Sequence, residues 1–248
     1  MEILRHFFRA KEDFVDITPF NYIHIGFLIL LVLLIFYTLS LRNKDEITKN
    51  RFIKSIGIGM IITISIMYFW YFVFNTFSIE TSLPLFHCRI VTCLFIYHIF
   101  FSSEKLMKVA IHWGLMGGIL SNLLPDPMKY SFPHLTNFEF FAIHFFMLLA
   151  SLYYIFIERV KIDKKDLMYV IKFTLVVDVF IAIFNIIFNL IGYDMNYSYL
   201  YHAPDVVSKF VPFEGIIYMI FVQIAYILLM FILYGIYKVL NNISDKME

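Results

Sequence analysis

The stretch FNYIHIGFLILLVLLIFYTLSL, residues 20–41, contains no charged side chain and is long enough to cross a bilayer as one helix. A spanning helix needs about 20 mostly apolar residues. Six further runs are long and apolar enough, at residues 53–77, 84–103, 106–124, 138–158, 167–191 and 214–240. The sequence therefore predicts an all-α polytopic membrane protein, a bundle of seven transmembrane helices.

The composition agrees with a membrane environment. Hydrophobic residues make up 61% of the chain and charged residues 16%, whereas soluble domains carry about 25% charged residues. The formal net charge of +1 gives no support for nucleic-acid binding. Cys88 and Cys93 share one apolar run, so they do not form a disulfide framework. The expected partners are membrane lipids, and the sequence gives no indication of the oligomeric state.

Loop charges predict the orientation. Lysine and arginine concentrate in the first, third and fifth connections, as Arg42, Lys44, Lys49, Arg51, Lys54, Lys105, Lys108, Arg159, Lys161, Lys164 and Lys165. The even-numbered connections carry only Lys129 and Lys209. Because basic loops stay in the cytoplasm, the N-terminus lies outside and the C-terminus inside. We predict an interfacial segment at 1–19, one transmembrane domain at 20–240 and a cytoplasmic tail at 241–248, in the cell membrane.

Two pairs of similar segments suggest an internal repeat. PFNYIHIGFLI (19–29) resembles FEFFAIHFFML (138–148), and LFHC (85–88) resembles LYHA (200–203). Helices 1–3 would then correspond to helices 5–7, with helix 4 as the joiner. Parallel repeats of this 3+1+3 kind occur in transporter folds.

Polar side chains gather at one predicted end of the bundle. They lie in PLFHCRI (84–90), NLLPDP (122–127), FFAIH (140–144) and NYSYLYH (196–202), and at the end of helix 6. A charged group at the bilayer centre costs about 2.5–3.5 kcal/mol, so such a cluster indicates a functional site. We predict one outward-facing pocket with these substrate-binding candidates: His87, Arg89, Asn122, Asp126, Asn185, Asn189, Asn196, Tyr197 and His202.

Helical periodicity predicts which faces are buried. Two polar stripes should face the protein interior, because lipid offers no hydrogen bonds: Asp178, Asn185 and Asn189 on one helix, and Asn137, His144 and Ser151 on another. Gly114 and Gly118 form a small-xxx-small pair, which permits close helix packing.

Two residues have both a functional and a structural interpretation. Cys88 is either a nucleophile, activated by a histidine such as His144 or His202, or a small buried hydrophobe. Arg89 either binds a phosphate or carboxylate with its planar fork or is structural, paired with an acid or reaching the interface. Its candidate acids are Asp126, Glu80 and Glu214.

Metal binding is not predicted. Histidines His24, His87, His144 and His202 fall at one predicted depth, but their spacing does not match a metal-binding motif. We therefore expect neither a metal nor a cofactor.

The same motifs resemble those of the YwaF-type bacterial integral membrane proteins, which are related to the eukaryotic transmembrane protein 164 family. The similarity rests on LPLFHCRI (83–90), LLPDP (123–127), FPHLTNFEFFAIH (132–144) and NYSYL (196–200) followed by Pro204. Many relatives have histidine two positions before the cysteine, where this chain has Phe86. The Trp-Pro-Trp cluster of some relatives is replaced by VPFEG (211–215).

The resemblance implies a lipid-modifying enzyme, because the eukaryotic relative is regarded as a phospholipid acyltransferase with a cysteine in the region of Cys88. In this hypothesis Cys88 accepts an acyl group from a phospholipid and His144 is the base. Arg89 holds the phosphate, and Asn122 or Tyr197 donates to the oxyanion. The alternative is a transporter, or a membrane protein that binds lipids or small molecules without catalysis.

Overall fold

The computed structural model describes residues 2–246, apart from Asp16, Lys209, Pro212 and Glu214. Every regular element in that part of the chain is helical. The helices are α1 (Glu2–Phe7), α2 (Tyr22–Ser40), α3 (Glu46–Val73), α4 (His87–Phe101), α5 (Glu104–Leu123), α6 (Leu135–Leu152), α7 (Lys164–Leu190), α8 (Asp205–Ser208) and α9 (Gly215–Lys246). Helix α6 continues as a π-helix over Tyr153–Ile157.

Five helices in the described residues are long and apolar enough to cross a membrane. They occupy Tyr22–Asn43, Glu46–Val73, Leu135–Ile157, Lys164–Leu190 and Gly215–Val239. The remaining two predicted spans coincide with α4, an apolar helix of 15 residues, and α5, of 20 residues. The polytopic membrane class is thus confirmed, whereas the count of seven spans and the orientation stay predictions.

Side-chain caps determine where the long helices begin. Asn21 accepts a hydrogen bond from the His24 backbone N–H, and Asp45 accepts one from Thr48. At α6, His134 and Asn137 cap each other's backbone reciprocally. Such caps satisfy N–H groups that have no partner inside the helix. Therefore α3 and α7 begin several residues before the apolar runs that they contain.

The chain divides into two compact units, Met1–Val160 and Lys161–Glu248. The boundary between them lies before α7. This division does not test the predicted single domain at 20–240 or the 3+1+3 repeat, and both stay predictions. Within the first unit α6 is central, with 72% of its span buried and contacts to α2, α3, α4 and α5.

Helices α5 and α6 pack closely through glycine. A Cβ on Gly114 would lie 2.8 Å from Phe95 Cε2 and 3.0 Å from the Met147 carbonyl oxygen. A Cβ on Gly118 would lie 2.8 Å from Leu148 Cβ. Real Cβ atoms do not approach other atoms so closely, so the two glycines permit this contact. Their predicted packing role is confirmed.

The predicted polar stripes are largely buried. Asn137, His144 and Ser151 are at most 4% exposed, and Asp178 and Asn185 at most 2%; Asn189 is half-buried. In the second unit α7 packs on α9, where Gln223 Nε2 donates to Asp178 Oδ2 at 2.7 Å. The interior orientation of these faces is thus confirmed for five of the six residues named.

Candidate functional site

A cavity of about 350 Å³ lies in the first unit between α3, α4 and α6. Its wall is formed by Ile64, Met67, Tyr68, Pro84, Arg89, Thr92, Cys93, Glu139 and Ile143. Small-molecule sites have volumes of roughly 300–1,000 Å³ and are mostly apolar with a few polar groups. This cavity fits that description. It lies where α3 ends and α4 and α6 begin, which is the predicted outer end of the bundle.

The Arg89 side chain is held in place by neutral oxygens. Nη1 donates to the Thr81 and Leu83 carbonyls, each at 2.9 Å, and Nη2 donates to the Tyr71 hydroxyl at 2.9 Å. A guanidinium has five N–H donors in a rigid plane. The guanidinium also interacts with the Tyr68 hydroxyl. Arg89 therefore has a fixed orientation at the wall of the cavity.

The structure also shows which groups Arg89 contacts in place of the acids that the sequence offered as partners. Its described hydrogen bonds go to neutral groups rather than to Glu80 or Asp126, and the third candidate acid, Glu214, lies outside the described residues. Asp126 itself is half-buried in the loop after α5. The acid that shares the cavity with Arg89 is Glu139, with which it interacts electrostatically.

Glu139 and Cys93 are site residues that the sequence interpretation missed. Both line the cavity, and Cys93 is exposed. A signal for Glu139 was present, because a carboxyl group inside an apolar span is a functional-site candidate by default. No comparable signal distinguished Cys93 from Cys88.

Cys88 lies beside the cavity wall, in the first turn of α4. It is half-buried. The next turn is tied to this one, since Thr92 Oγ1 donates to the Cys88 carbonyl at 2.7 Å. Cys88 thus directly precedes the arginine that projects into the cavity.

His144 lies in α6 and has a defined tautomer. Its Nδ1 donates to the Phe140 carbonyl at 2.6 Å, which leaves Nε2 as the acceptor nitrogen, as a base requires. Among the described residues, no hydrogen bond joins His144 to Cys88. Their pairing as base and nucleophile stays a prediction.

Asn122 presents an acceptor rather than a donor. Its Nδ2 donates to the Gly118 carbonyl at 2.6 Å, and its Oδ1 is buried without a partner among the described residues. The Asn122 carbonyl oxygen accepts a hydrogen bond from His24 Nε2 at 2.8 Å, which links α2 to α5. The proposed oxyanion donation by Asn122 would require rotation of the amide. The His87 ring contacts the Trp113 ring of α5, with the ring centroids 4.6 Å apart and the planes tilted by 57°.

In the second unit, asparagine side chains hold the loop after α7. The amide groups of Asn185 and Asn189 each exchange two hydrogen bonds with a loop backbone, at Tyr197 and Met195 respectively. Asn196 likewise accepts from the Tyr201 and His202 N–H groups and donates to the His202 carbonyl. These three amides therefore build the loop, and their contact with a substrate stays a prediction.

That loop contains unusual backbone. Ser198 and Tyr199 have φ of 56° and 51°, the left-handed region that side chains with a Cβ rarely adopt. Tyr197 is fully buried, and the Tyr218 hydroxyl donates to the Tyr199 carbonyl at 2.8 Å. His202 is half-buried, and its Nδ1 lies 3.1 Å from Asn196 Nδ2. The asparagine amides and Tyr218 are thus among the contacts that maintain this conformation.

Together these features define a multi-pass α-helical membrane protein. Its cavity is lined by an arginine of fixed orientation, a glutamate and one cysteine, and a second cysteine lies beside the wall. The sequence model of the TMEM164 family matches residues 17–234, and the chain belongs to that family. This is compatible with the resemblance to YwaF-type proteins. Neither the curated proteins nor the solved structures contain a match to the chain. Among the described residues, no three His, Cys, Asp or Glu side chains are grouped to hold a metal.

Proposed function

We propose that this protein is a phospholipid acyltransferase of the cell membrane that transfers an acyl group between lipids through Cys88. The observation that carries the proposal is the cavity at the start of α4, where the protein holds the Arg89 guanidinium in a fixed orientation at the wall. A side chain with parallel donors matches the oxygens of a phosphate. The apolar wall and the exposed position of Cys93 suit a lipid that enters from the bilayer.

The reaction has two halves. In the first, Cys88 Sγ attacks the ester carbonyl carbon of a phospholipid, the bond to the glycerol oxygen breaks, and that oxygen receives the thiol proton. In the second, the hydroxyl of a lysophospholipid attacks the thioester, the carbon–sulfur bond breaks, and the proton returns to sulfur. His144 Nε2 is the proposed proton carrier in both halves.

The assignment of roles follows from position. Arg89 would bind the phosphate and so bring the ester towards the preceding residue, Cys88. Cys88 lies in the first turn of α4, where the positive end of the helix dipole would favour the oxyanion that develops on the attacked carbonyl. An acyl-CoA donor is cytoplasmic and does not suit a cavity at the predicted outer end, so the donor is a lipid.

The test is acyl transfer in proteoliposomes that contain the purified full chain, an isotope-labelled phospholipid and a lysophospholipid. The parent should form labelled diacyl product and carry a labelled acyl adduct on Cys88 by mass spectrometry. Cys88→Ser should lose both signals, and His144→Asn should lose product formation. Cys93→Ser is the matched control and should retain both signals.

Two outcomes would contradict the proposal. Full turnover in Cys88→Ser would remove the nucleophile and favour a transporter or a non-catalytic lipid-binding protein. An adduct and activity that depend on Cys93 alone would move the chemistry into the cavity wall and away from Cys88.

A further inference from the structure

The N-terminal segment is tied to the loop that precedes α6. The Asp13 and Phe14 N–H groups donate to the Lys129 carbonyl at 3.2 and 3.0 Å. The Tyr130 hydroxyl donates to the Ala10 carbonyl at 2.9 Å, and His134 Nε2 bonds the Arg9 carbonyl at 3.0 Å. These partners are about 120 residues apart in sequence, as with Tyr130 and Ala10. The segment is therefore a docked element of the first unit.

A charged clamp reinforces this docking. Arg9 forms an ion pair with Asp13 and donates Nη2 to the Ser131 carbonyl and hydroxyl oxygens, each at 2.8 Å. Asp13 in turn accepts from the Ser131 N–H at 3.0 Å and from its hydroxyl at 2.6 Å. Hydrogen bonds that involve a charged group are stronger than neutral ones.

The apolar side of the segment packs on a buried cluster that adjoins the cavity. Phe7, Phe8 and Tyr68 pack against a buried cluster of Met67, Trp70, Tyr71, Tyr130 and Leu135. Trp70 Nε1 also donates to the Phe8 carbonyl at 3.0 Å. Two of these residues, Met67 and Tyr68, line the cavity, and the Tyr71 hydroxyl receives Arg89. The segment thus packs against the part of α3 that contributes to the cavity.

We propose that residues 7–14 form a strap that controls access from water to the cavity. When it is docked, the strap closes the aqueous end of the cavity and holds Tyr71 against Arg89, and the exposed side at Cys93 is left for lipid. When it is released, the cavity opens to water. The meaning of this control for catalysis rests on the proposed function, whereas the access itself is measurable without any acyl transfer.

Alkylation of Cys93 tests the strap. The full chain with Cys88→Ser has Cys93 as its one cysteine. In nanodiscs, the rates of modification are measured with a cationic methanethiosulfonate reagent, which arrives from water, and with N-ethylmaleimide, which also arrives through lipid. Arg9→Gln and Asp13→Asn each remove part of the clamp. Lys11→Gln, at an exposed position of the same segment, is the matched control.

We expect the cationic reagent to react about tenfold faster in both clamp variants, the factor that corresponds to the loss of one charge-assisted hydrogen bond. N-ethylmaleimide should react at the parental rate, and Lys11→Gln should match the parent with both reagents. Unchanged rates with the cationic reagent would overturn the proposal. An equal acceleration with both reagents would also overturn it, because it would indicate general loosening of the first unit.

Discussion

Replacement of Gly118 by alanine tests the close contact between α5 and α6. The new Cβ would lie 2.8 Å from Leu148 Cβ and 3.2 Å from the Leu148 Cα and N atoms. These atoms belong to a buried helix and do not yield as a side-chain end would. Overpacking of this kind costs about 1–3 kcal/mol, and the better helix propensity of alanine offsets about 0.5–1 kcal/mol of it. We therefore expect Gly118→Ala to lower the free energy of unfolding by about 0.5–2 kcal/mol.

Gly117 provides the matched control on the same helix. A Cβ there would meet only Met147 Cε, at an ordinary 3.8 Å. Gly117→Ala should therefore keep the propensity gain and stabilise the protein by about 0.5–1 kcal/mol. Both variants are compared by equilibrium unfolding in mixed micelles with increasing SDS, followed by circular dichroism. Changes of the same sign and size in the two variants would refute the reasoning, because they would show that α5 and α6 are not in rigid contact.

Three further predictions concern other parts of the chain. Burial lowers the pKa of His134 to about 4 from 6.5, so the stability that the neutral imidazole contributes is complete above pH 6.5 and is lost as the pH falls towards 4. The free energy of unfolding should drop by about 2 kcal/mol over that window. The same pH dependence of stability in His134→Gln would contradict the assignment to His134. Asn185→Leu removes both bonds to Tyr197 and leaves that buried backbone unpaired, which should cost about 2–4 kcal/mol, and should speed proteolysis of the loop in a limited-digestion assay; parental resistance would show that the loop is held elsewhere. In intact cells, a single cysteine at Lys44 should be protected from an impermeant thiol reagent, and a single cysteine at Lys129 should be labelled by it. The reverse pattern would invert the topology.

Much of the fold was predictable because helices in a membrane satisfy their own backbone hydrogen bonds. Long apolar runs therefore correspond to helices whatever their neighbours are. The buried faces were predictable for a related reason: Asn137 and Ser151 have polar groups that lipid does not satisfy. The structure starts α3 at Glu46 and α7 at Lys164, before the apolar runs at 53–77 and 167–191, since polar first turns capped by Asp45 and Asp163 precede the apolar core of each helix.

The candidate site was predictable only in part. Arg89 and Cys88 stood out as polar groups near the end of a span. The same reasoning named Asn185 and Asn189 as substrate-binding candidates, which stays a prediction, and it did not foresee that their amides bond the loop that follows α7. A polar side chain in an apolar segment needs a partner, but its sequence position does not tell whether that partner is a ligand or the protein's own backbone.

The sequence by itself determined the helical membrane class, the positions of the apolar helices and their inward polar faces, because these depend on local composition and period. Only the tertiary structure decided which polar groups share a cavity. Glu139 meets Arg89 across two helices about 50 residues apart in sequence, and Arg9 meets Ser131 across 122 positions. Such pairings arise from helix packing and loop closure, whose geometry no local pattern contains.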